Sequence, residues 1–363
     1  MQKDQSDITL VTPNAPISAP THGGRAKCLQ RLVRLELPVP KTVALSFDVV
    51  HGIAANQMPD IGQILDHFDP DALLCVRPSS ESIDWGGPKA ILNIGMNQAR
   101  FSALSETLGT EAAAKVYYWF IQAYSIHVAR LDPEIFDHIQ GQGQAALEAA
   151  LRAYEEETEE VFPQARSVQL AEVLRSMARA WGGTTARLLR QAKGAPVDAG
   201  LGLVVQKMAF GVGRGECGSG VLQLVDSDTG QPNVVGRYRR QSQGRYGLSD
   251  NDGVMYLTRD KRGPSLEEAV PDILKTLQEQ ATLMRQRLRE EMQIEFTIED
   301  GNLHILDGIR APRRASAALR IAVSLAKSGV ISKQEALLRI EPRSLGELLH
   351  RQVHPDGNRA VLA

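Results

Sequence analysis

The sequence of 363 residues predicts an α+β fold built from several subdomains. Short segments of extended, apolar character lie near the start of the chain and return in its third quarter. Between them, residues 109–192 carry apolar positions at helical spacing, and a second helical region follows residue 313. Because strands and helices come in blocks and do not alternate regularly, the order does not favour a doubly wound parallel sheet.

Composition narrows the functional classes. Apolar residues make up 43% and charged residues 23% of the chain, and the net charge is −2, which is typical of a soluble protein and argues against nucleic acid as the main partner. The short basic stretch 237–247 is more often a local surface than a site for single-stranded nucleic acid. Three scattered cysteines indicate reduced thiols in a cytoplasmic protein. We expect neither a signal peptide nor a membrane span.

The first 108 residues predict a flexible arm and then a small mixed unit. Residues 1–20 are polar and rich in proline, so we expect a flexible N-terminal arm there. Gly23 and Gly24 open a helix that Pro38 and Pro40 end. The segments that follow are a strand at 42–47, a strand at 71–80, a loop at 84–90 and an extended segment at 91–97. Together, residues 21–108 predict an N-terminal subdomain.

The remaining chain divides into three predicted parts. Residues 109–195 form a helical insert, 196–312 a β-rich subdomain with a Gly-rich loop, and 313–363 a helical C-terminal segment. Within the β-rich part, we expect strands at 202–210, 221–225 and 234–240, an amphipathic helix from Pro271 and a hairpin at 293–310.

The Gly-rich loop at 211–220 holds five glycines between two predicted strands. A glycine flap of this kind can lay backbone N–H groups over phosphates. It has neither the order of a P-loop nor the strand-to-helix setting of a dinucleotide fingerprint. A flexible hairpin loop with no ligand is the alternative interpretation.

Several segments, in one order along the chain, resemble the nucleotide-binding region of the pyruvate phosphate dikinase family. The matching segments are VRLELPVPKTVALS (33–46), LLCVRPSSESIDWGGPKAILNIGMN (73–97), KVYYWFIQAYS (115–125), VVQKMAFG (204–211), QIEFTIEDGNLHIL (293–306) and ALRIAVSLAKSGVISKQEALLRIEPRSLGELLH (318–350). The resemblance implies an ATP-grasp-like nucleotide-binding fold with a helical insert and a helical C-terminal segment. Phosphoenolpyruvate synthase and related dikinases use the same front region.

The resemblance also implies a function. In complete dikinases this region uses ATP to phosphorylate a histidine on a separate carrier domain. The chain is then expected to be a kinase-like phosphotransferase module with ATP and Mg²⁺ as cofactors and a phosphohistidine carrier, absent from this sequence, as a partner. The nucleotide- and phosphate-binding positions that it implies are Arg25, Lys27, Arg77, Gln206, Gly211, Gly218, Ser219 and Gly220. Arg77 and Glu295 would be catalytic, and Glu295 with Asp307 would hold the metal.

Departures from the family pattern suggest a second hypothesis. One acid of the family's hairpin is replaced by Gln293, and acids elsewhere are replaced by Lys89, Arg237 and Arg245. Since Mg²⁺ prefers carboxylate and phosphate oxygens, these cations weaken a metal site and favour a polyanion bound without metal. The alternative is therefore a degenerate ATP-grasp pseudoenzyme that binds a nucleotide, another anion or a partner without transferring phosphate.

The loop of the 293–310 hairpin decides whether Glu295 and Asp307 can act together. A two-residue loop at Asp300-Gly301 would place these carboxylates on opposite faces. A three-residue loop that starts at Glu299, with Gly301 in the left-handed region, would place them on one face, where they could hold one cation. Apolar alternation favours the first arrangement and the family resemblance favours the second. A surface strand with a solvated Glu295 is the remaining interpretation.

Overall fold

A computed structural model describes residues 7–139, 143–244 and 253–340, together with residues 342 and 346. The strands are β1 (Ile8–Leu10), β2 (Thr42–Leu45), β3 (Leu74–Ser80), β4 (Ile91–Ile94), β5 (Leu201–Lys207), β6 (Gly218–Val225), β7 (Pro232–Arg240), β8 (Val254–Tyr256), β9 (Met292–Glu299) and β10 (Asn302–Arg310). The helices are α1 (Ala19–Arg34), α2 (Phe47–Ala54), α3 (Ile61–Leu65), α4 (Gln98–Leu108), α5 (Thr110–Tyr124), α6 (Gly143–Thr158), α7 (Arg166–Gly182), α8 (Thr184–Ala192), α9 (Leu266–Ala269), α10 (Pro271–Leu288), α11 (Ala315–Lys327) and α12 (Lys333–Leu338). In these ranges, no helix is long and apolar enough to cross a membrane.

The first sheet is antiparallel and has the order β1-β2-β5-β3-β4 within the described residues. Its central strand, β5, is apolar along most of its length because both faces are covered, and Val205 pairs with Val43 on one side and Val76 on the other. Residues 8–10, which the sequence assigns to a flexible arm, form β1 and pair with β2. Residues 1–6 of that arm lie outside the described residues.

The predicted helical region provides the main core beside this sheet. Helices α4 to α7 bury their apolar stripes in one cluster with the sheet. The ring of Phe162 lies at its centre, edge-on to Phe120 and Tyr154 with centroid distances of 5.6 and 5.1 Å. The amphipathic pattern of residues 109–192 therefore predicts α5, α6 and α7 correctly, whereas α4 lies before that range.

The second sheet has the order β10-β9-β6-β7-β8 within the described residues. Only Asp300 and Gly301 separate β9 from β10, and both have positive φ, 47° and 76°, as a two-residue type I′ turn requires. The Ala311 N–H, just beyond β10, donates to the Glu291 carbonyl, just before β9, at 2.8 Å. Between the turn and this hydrogen bond, the first strand contributes residues 292–299 and the second contributes residues 302–310. The second strand therefore has one residue more. The extra residue is a β-bulge.

The structure shows which of the two expected hairpin loops forms. The turn is the two-residue form, which by itself would separate the carboxylates of Glu295 and Asp307 onto opposite faces. An added residue in β10 reverses this alternation for every position beyond it. In the structure, Glu295 and Asp307 both act electrostatically on Arg77.

The chain forms two compact units. The first contains Met1–Val221, Arg237–Met255 and Ile294–Ile309, and includes the first sheet and helices α1 to α8. The second contains Leu222–Gly236, Tyr256–Gln293 and Arg310–Ala363, and has its own apolar cluster built around α11. These units interleave along the sequence, and the predicted subdomain boundaries stay predictions.

Candidate functional site

The site begins where α1 meets the end of β3. Gly23 has a φ of 86°, and a Cβ there would lie 1.7 Å from the carbonyl oxygen of Ser79, so only glycine permits this approach. Ser79 Oγ donates to the His22 carbonyl at 2.7 Å and accepts from the Ala26 N–H at 3.0 Å. These bonds fix the start of the helix beside β3, and therefore fix Arg25 near Arg77.

Arg77 and Glu295 form a buried ion pair. Arg77 Nη2 lies 2.6 Å from Glu295 Oε1, and Nη1 lies 3.4 Å from both Oε2 and the Leu306 carbonyl. Only 5% of Arg77 and 7% of Glu295 is exposed. The remaining guanidinium donor, Nε, is buried and has no hydrogen-bond partner. The predicted phosphate ligand therefore lies against the predicted metal ligand.

Arg25 and Asp307 form a second pair in the same cluster. Arg25 Nε lies 2.7 Å from Asp307 Oδ2, and its Nη1 donates to the Pro78 carbonyl. The other carboxylate oxygen, Oδ1, accepts from the Gly308 N–H at 2.9 Å. Asp307 is 3% exposed, so the carboxylate depends on these partners in place of water. We call Arg25, Arg77, Glu295 and Asp307 the charge quartet.

The pKa values show how strongly the quartet is coupled. Burial by itself would raise the pKa of Asp307, but the charges of Arg25 and Arg77 outweigh it and lower the pKa below its ordinary value of 3.8. Burial by itself would lower the pKa of Arg77, but the carboxylates of Glu295 and Asp307 outweigh it and raise that pKa. Two guanidinium groups and two carboxylates sum to zero charge.

Little space is left beside the quartet. A cavity of about 10 Å³ adjoins Arg77 and Gln206, with room for about one water molecule. Gln206 is buried, and its Nε2 donates to Thr42 Oγ1 at 3.0 Å. Lys27 does not lie in the quartet. Its ammonium donates to the Ile17 carbonyl and to Gln30 Oε1, each at 2.8 Å.

Part of the predicted glycine flap serves packing. Gly218, Ser219 and Gly220 belong to β6 and are buried. A Cβ on Gly218 would come within 2.4 Å of the Tyr238 hydroxyl, and one on Gly220 within 2.4 Å of the Phe296 ring. The rings of Tyr238 and Phe296 stack with a centroid distance of 6.1 Å, so the two glycines make room for this stack.

The other residues of the flap are tied to neighbouring segments. The Gly213 N–H donates to Gln241 Oε1 at 3.0 Å, and Gly211 approaches the Ser242 carbonyl so closely that a Cβ would lie 1.9 Å from it. Ser219 Oγ donates to the Gly244 carbonyl at 3.1 Å. A phosphate-binding role for this loop stays a prediction.

A magnesium ion bound together with phosphates would suit the donor set of the quartet. Mg²⁺ commonly takes one or two carboxylates, several waters and substrate phosphate oxygens, and Glu295 with Asp307 could supply the carboxylates. The described residues contain no group of three or more His, Cys, Asp or Glu side chains able to hold an ion. Both carboxylates are also bound to arginines. The described residues alone therefore offer an incomplete set of ligands for a magnesium ion.

The positions that depart from the family pattern lie in different places. Lys89 lines a cavity of about 600 Å³ beside α5, Arg237 lies in β7 and Gln293 in β9. Arg245 lies outside the described residues. The same cavity contains two further cations, Lys115 and Arg239, to which the sequence assigns no binding role.

Comparison with known proteins confirms the recognition made from the sequence. No family model matches the chain. The chain is 28% identical to pyruvate, phosphate dikinase of Rhizobium meliloti over 94% of its own length and 42% of the relative. It is 30% identical to that of Clostridium symbiosum over 81% of its length and 35% of the relative. It is 24% identical to the chloroplastic pyruvate, phosphate dikinase of Flaveria trinervia over 91% of its length and 38% of the relative. The chain thus spans about two fifths or less of these curated relatives.

Proposed function

We propose that this chain, which is similar to part of pyruvate, phosphate dikinase, is an ATP-binding phosphotransferase module with an ATP-grasp-like fold. The observation that carries the proposal is the quartet. Four residues from α1, β3, β9 and β10, each predicted to act on phosphate or metal, meet in one buried cluster. A general anion-binding surface would not need two carboxylates between its arginines.

The quartet suits binding by exchange of ion partners. A nucleotide phosphate offers oxygens to Arg25 and Arg77, which can bind them through paired N–H donors. Glu295 and Asp307, once released by these arginines, would hold a magnesium ion through their carboxylates. The chemistry that the ion supplies when bound is charge neutralisation of the phosphates. Because the cavity beside Arg77 holds only about one water, a phosphate fits there only after the pairs separate.

This exchange makes metal and nucleotide depend on each other. A nucleotide that binds without metal would draw the arginines away and leave Glu295 and Asp307 buried without partners. An uncompensated buried charge costs about 3–5 kcal/mol, so we expect ATP without magnesium to bind at least about 100-fold more weakly. Linkage requires that ATP strengthen magnesium binding by the same factor.

The phosphoryl acceptor would be a histidine on a carrier domain or protein, as the resemblance implies. The second candidate function is a degenerate ATP-grasp module that binds a nucleotide or another anion without transferring phosphate. The cations Lys89 and Arg237, at positions where the family has acids, favour it. Under this candidate, anion binding would not depend on magnesium.

Ligand-induced stabilisation separates these candidates. Thermal unfolding would be measured with ATP, with magnesium and with both, for the wild type, Glu295→Ala and the control Asp69→Asn. At 100 times its dissociation constant a ligand should stabilise by about 2.7 kcal/mol. We expect this only with ATP and magnesium together, in the wild type and in Asp69→Asn, whose carboxylate is in an exposed pair. Equal stabilisation by ATP with and without magnesium would favour the degenerate module, and no response to ATP would exclude nucleotide binding under either candidate.

A further inference from the structure

Helix α8 exposes its leucines and buries an arginine. Leu188 and Leu189 are 59% and 60% exposed. Within α8, which the structure describes in full, the buried residue is Arg190. Its guanidinium carbon lies 3.6 Å from the centre of the Trp181 ring, and its Nη1 donates to the Trp181 carbonyl at 2.7 Å. A helix on the surface of a globular unit normally turns its apolar side to the core, so this reversal indicates a surface that a partner covers.

Cations flank the two leucines. Arg187 directly precedes them, and Lys193 follows Leu189 by four residues, so it neighbours Leu189 on the helix surface. Helix α8 contains no Asp or Glu. Burial and the charge of Arg187 lower the pKa of Arg190, because like charges lie close together on this helix. We call the two leucines and the two flanking cations the α8 surface. An acidic, partly apolar surface would complement it.

A surface of that kind lies on the same unit, at the end of α6. Residues 155–160 have the sequence EEETEE, and all five glutamates are exposed. Two of these glutamates line a cleft together with three arginines, but the other three do not. Val161, which follows them, is 71% exposed. We call residues 155–161 the acidic segment. It combines carboxylates and an exposed apolar side chain, as the α8 surface combines cations and leucines.

We propose that the α8 surface of one copy of this chain docks on the acidic segment of a second copy. The leucines pack beside Val161, and the glutamates face Arg187 and Lys193. A second copy fits both surfaces, because each copy supplies one of each, and a two-fold dimer contains the contact twice. The quartet contributes no residue to this contact, so the proposal goes beyond the proposed function and does not depend on it.

Self-association of the full chain is measured by sedimentation velocity over a range of protein concentrations, at low and at high salt. The wild type should associate as its concentration rises, and more weakly at high salt, because salt screens exposed charges. Leu188→Ser and Leu189→Ser should each weaken association at least about tenfold, since each removes an apolar side chain that the contact buries. The matched control Leu338→Ser removes an 86% exposed leucine from the second unit and should leave association unchanged. Because these leucines are exposed, the variants should fold, which circular dichroism verifies.

An exchange of charges identifies which surfaces meet. Arg187→Glu/Lys193→Glu makes the α8 surface acidic, and Glu155→Lys/Glu156→Lys adds cations to the acidic segment. Each double variant alone should associate at least about tenfold more weakly than the wild type, because like charges then face each other. A mixture of equal amounts of the two should recover the association, since each altered surface then meets its complement.

Three results would overturn the proposal. These are a wild type that stays monomeric at every concentration, leucine variants that associate as the wild type does, and a mixture that associates no better than its components. In the last case the α8 surface would dock elsewhere than on the acidic segment. Each of these results would leave the thermal test with ATP and magnesium unaffected.

Discussion

The replacement of Arg77 by methionine tests whether the quartet is a true buried ion cluster. Methionine retains the apolar stem but removes the guanidinium group that lies 2.6 Å from the Glu295 carboxylate. Because the two side chains are only 6% and 9% exposed, water cannot take the place of the lost donors. Removal of one partner from such a pair usually costs about 3–5 kcal/mol. We expect Arg77→Met to lower the free energy of unfolding by that amount at pH 7.

Two further variants sharpen the test. In Arg77→Met/Glu295→Leu both charges are gone, and replacement of a buried pair by apolar residues is often close to neutral. The double variant should therefore recover most of the lost stability. Asp69→Asn breaks the pair between Lys207 and Asp69, whose N–O distance of 2.8 Å is similar but whose side chains are 46% and 68% exposed. That control should leave the stability nearly unchanged.

Denaturant unfolding followed by tryptophan fluorescence provides the assay. Trp85, Trp119 and Trp181 are the three tryptophans of the chain, and all of them lie in the first unit with Arg77 and Glu295. The signal thus reports on the unit that contains the change. If Arg77→Met proves as stable as Asp69→Asn, the pair is open to solvent and the reasoning about partner exchange is refuted.

Two other predictions follow from the same region. The pKa of Asp307 is lowered on folding, so its contribution to stability is present above about pH 4 and disappears as the pH falls through the lowered folded value. The difference in unfolding free energy between wild type and Asp307→Asn should accordingly be constant from pH 5 to 7 and shrink toward pH 2, and a difference that does not change with pH would contradict the ion pair. Gly220→Ala places a Cβ 2.4 Å from the Phe296 ring and should cost about 1–3 kcal/mol by overpacking, whereas Gly182→Ala, with no atom within 4 Å of its Cβ, should cost nothing by this mechanism. Equal unfolding midpoints for these two glycine variants would exclude the packing role of Gly220.

Local patterns along the chain predict much of the fold. The helix that starts at Pro271 and the amphipathic stretch at 109–192 form as expected, because proline fixes the first turn and apolar spacing fixes the buried face. The strand predicted at 202–210 appears as β5, Leu201–Lys207. By contrast, β1 has only three residues and gains its structure from pairing with β2, which no local signal in its own sequence reveals.

The sequence predicts the four residues of the quartet but not how they pair, and their binding roles stay predictions. The resemblance selects Arg25, Arg77, Glu295 and Asp307, and the fold brings them together. That each arginine binds a carboxylate depends on the exact approach of α1 to β3, which leaves no periodic signal in the sequence. Gly218 and Gly220 look like phosphate-binding glycines in the sequence, although their absent side chains also make room for the ring stack of Tyr238 and Phe296.

The four charges of the quartet contribute little to the stability of the fold, but the proposed binding of nucleotide and metal requires them. Two buried ion pairs stabilise a protein no better than well-packed apolar residues of similar volume would, because desolvation offsets most of their attraction. A fold that needed only stability could therefore do without all four charges. Partner exchange, however, requires both arginines and both carboxylates, since phosphate and metal must each find an opposite charge. Arg77→Met/Glu295→Leu should consequently keep most of the stability and lose the joint response to ATP and magnesium, and a response that persisted in this variant would show that the nucleotide binds away from the quartet.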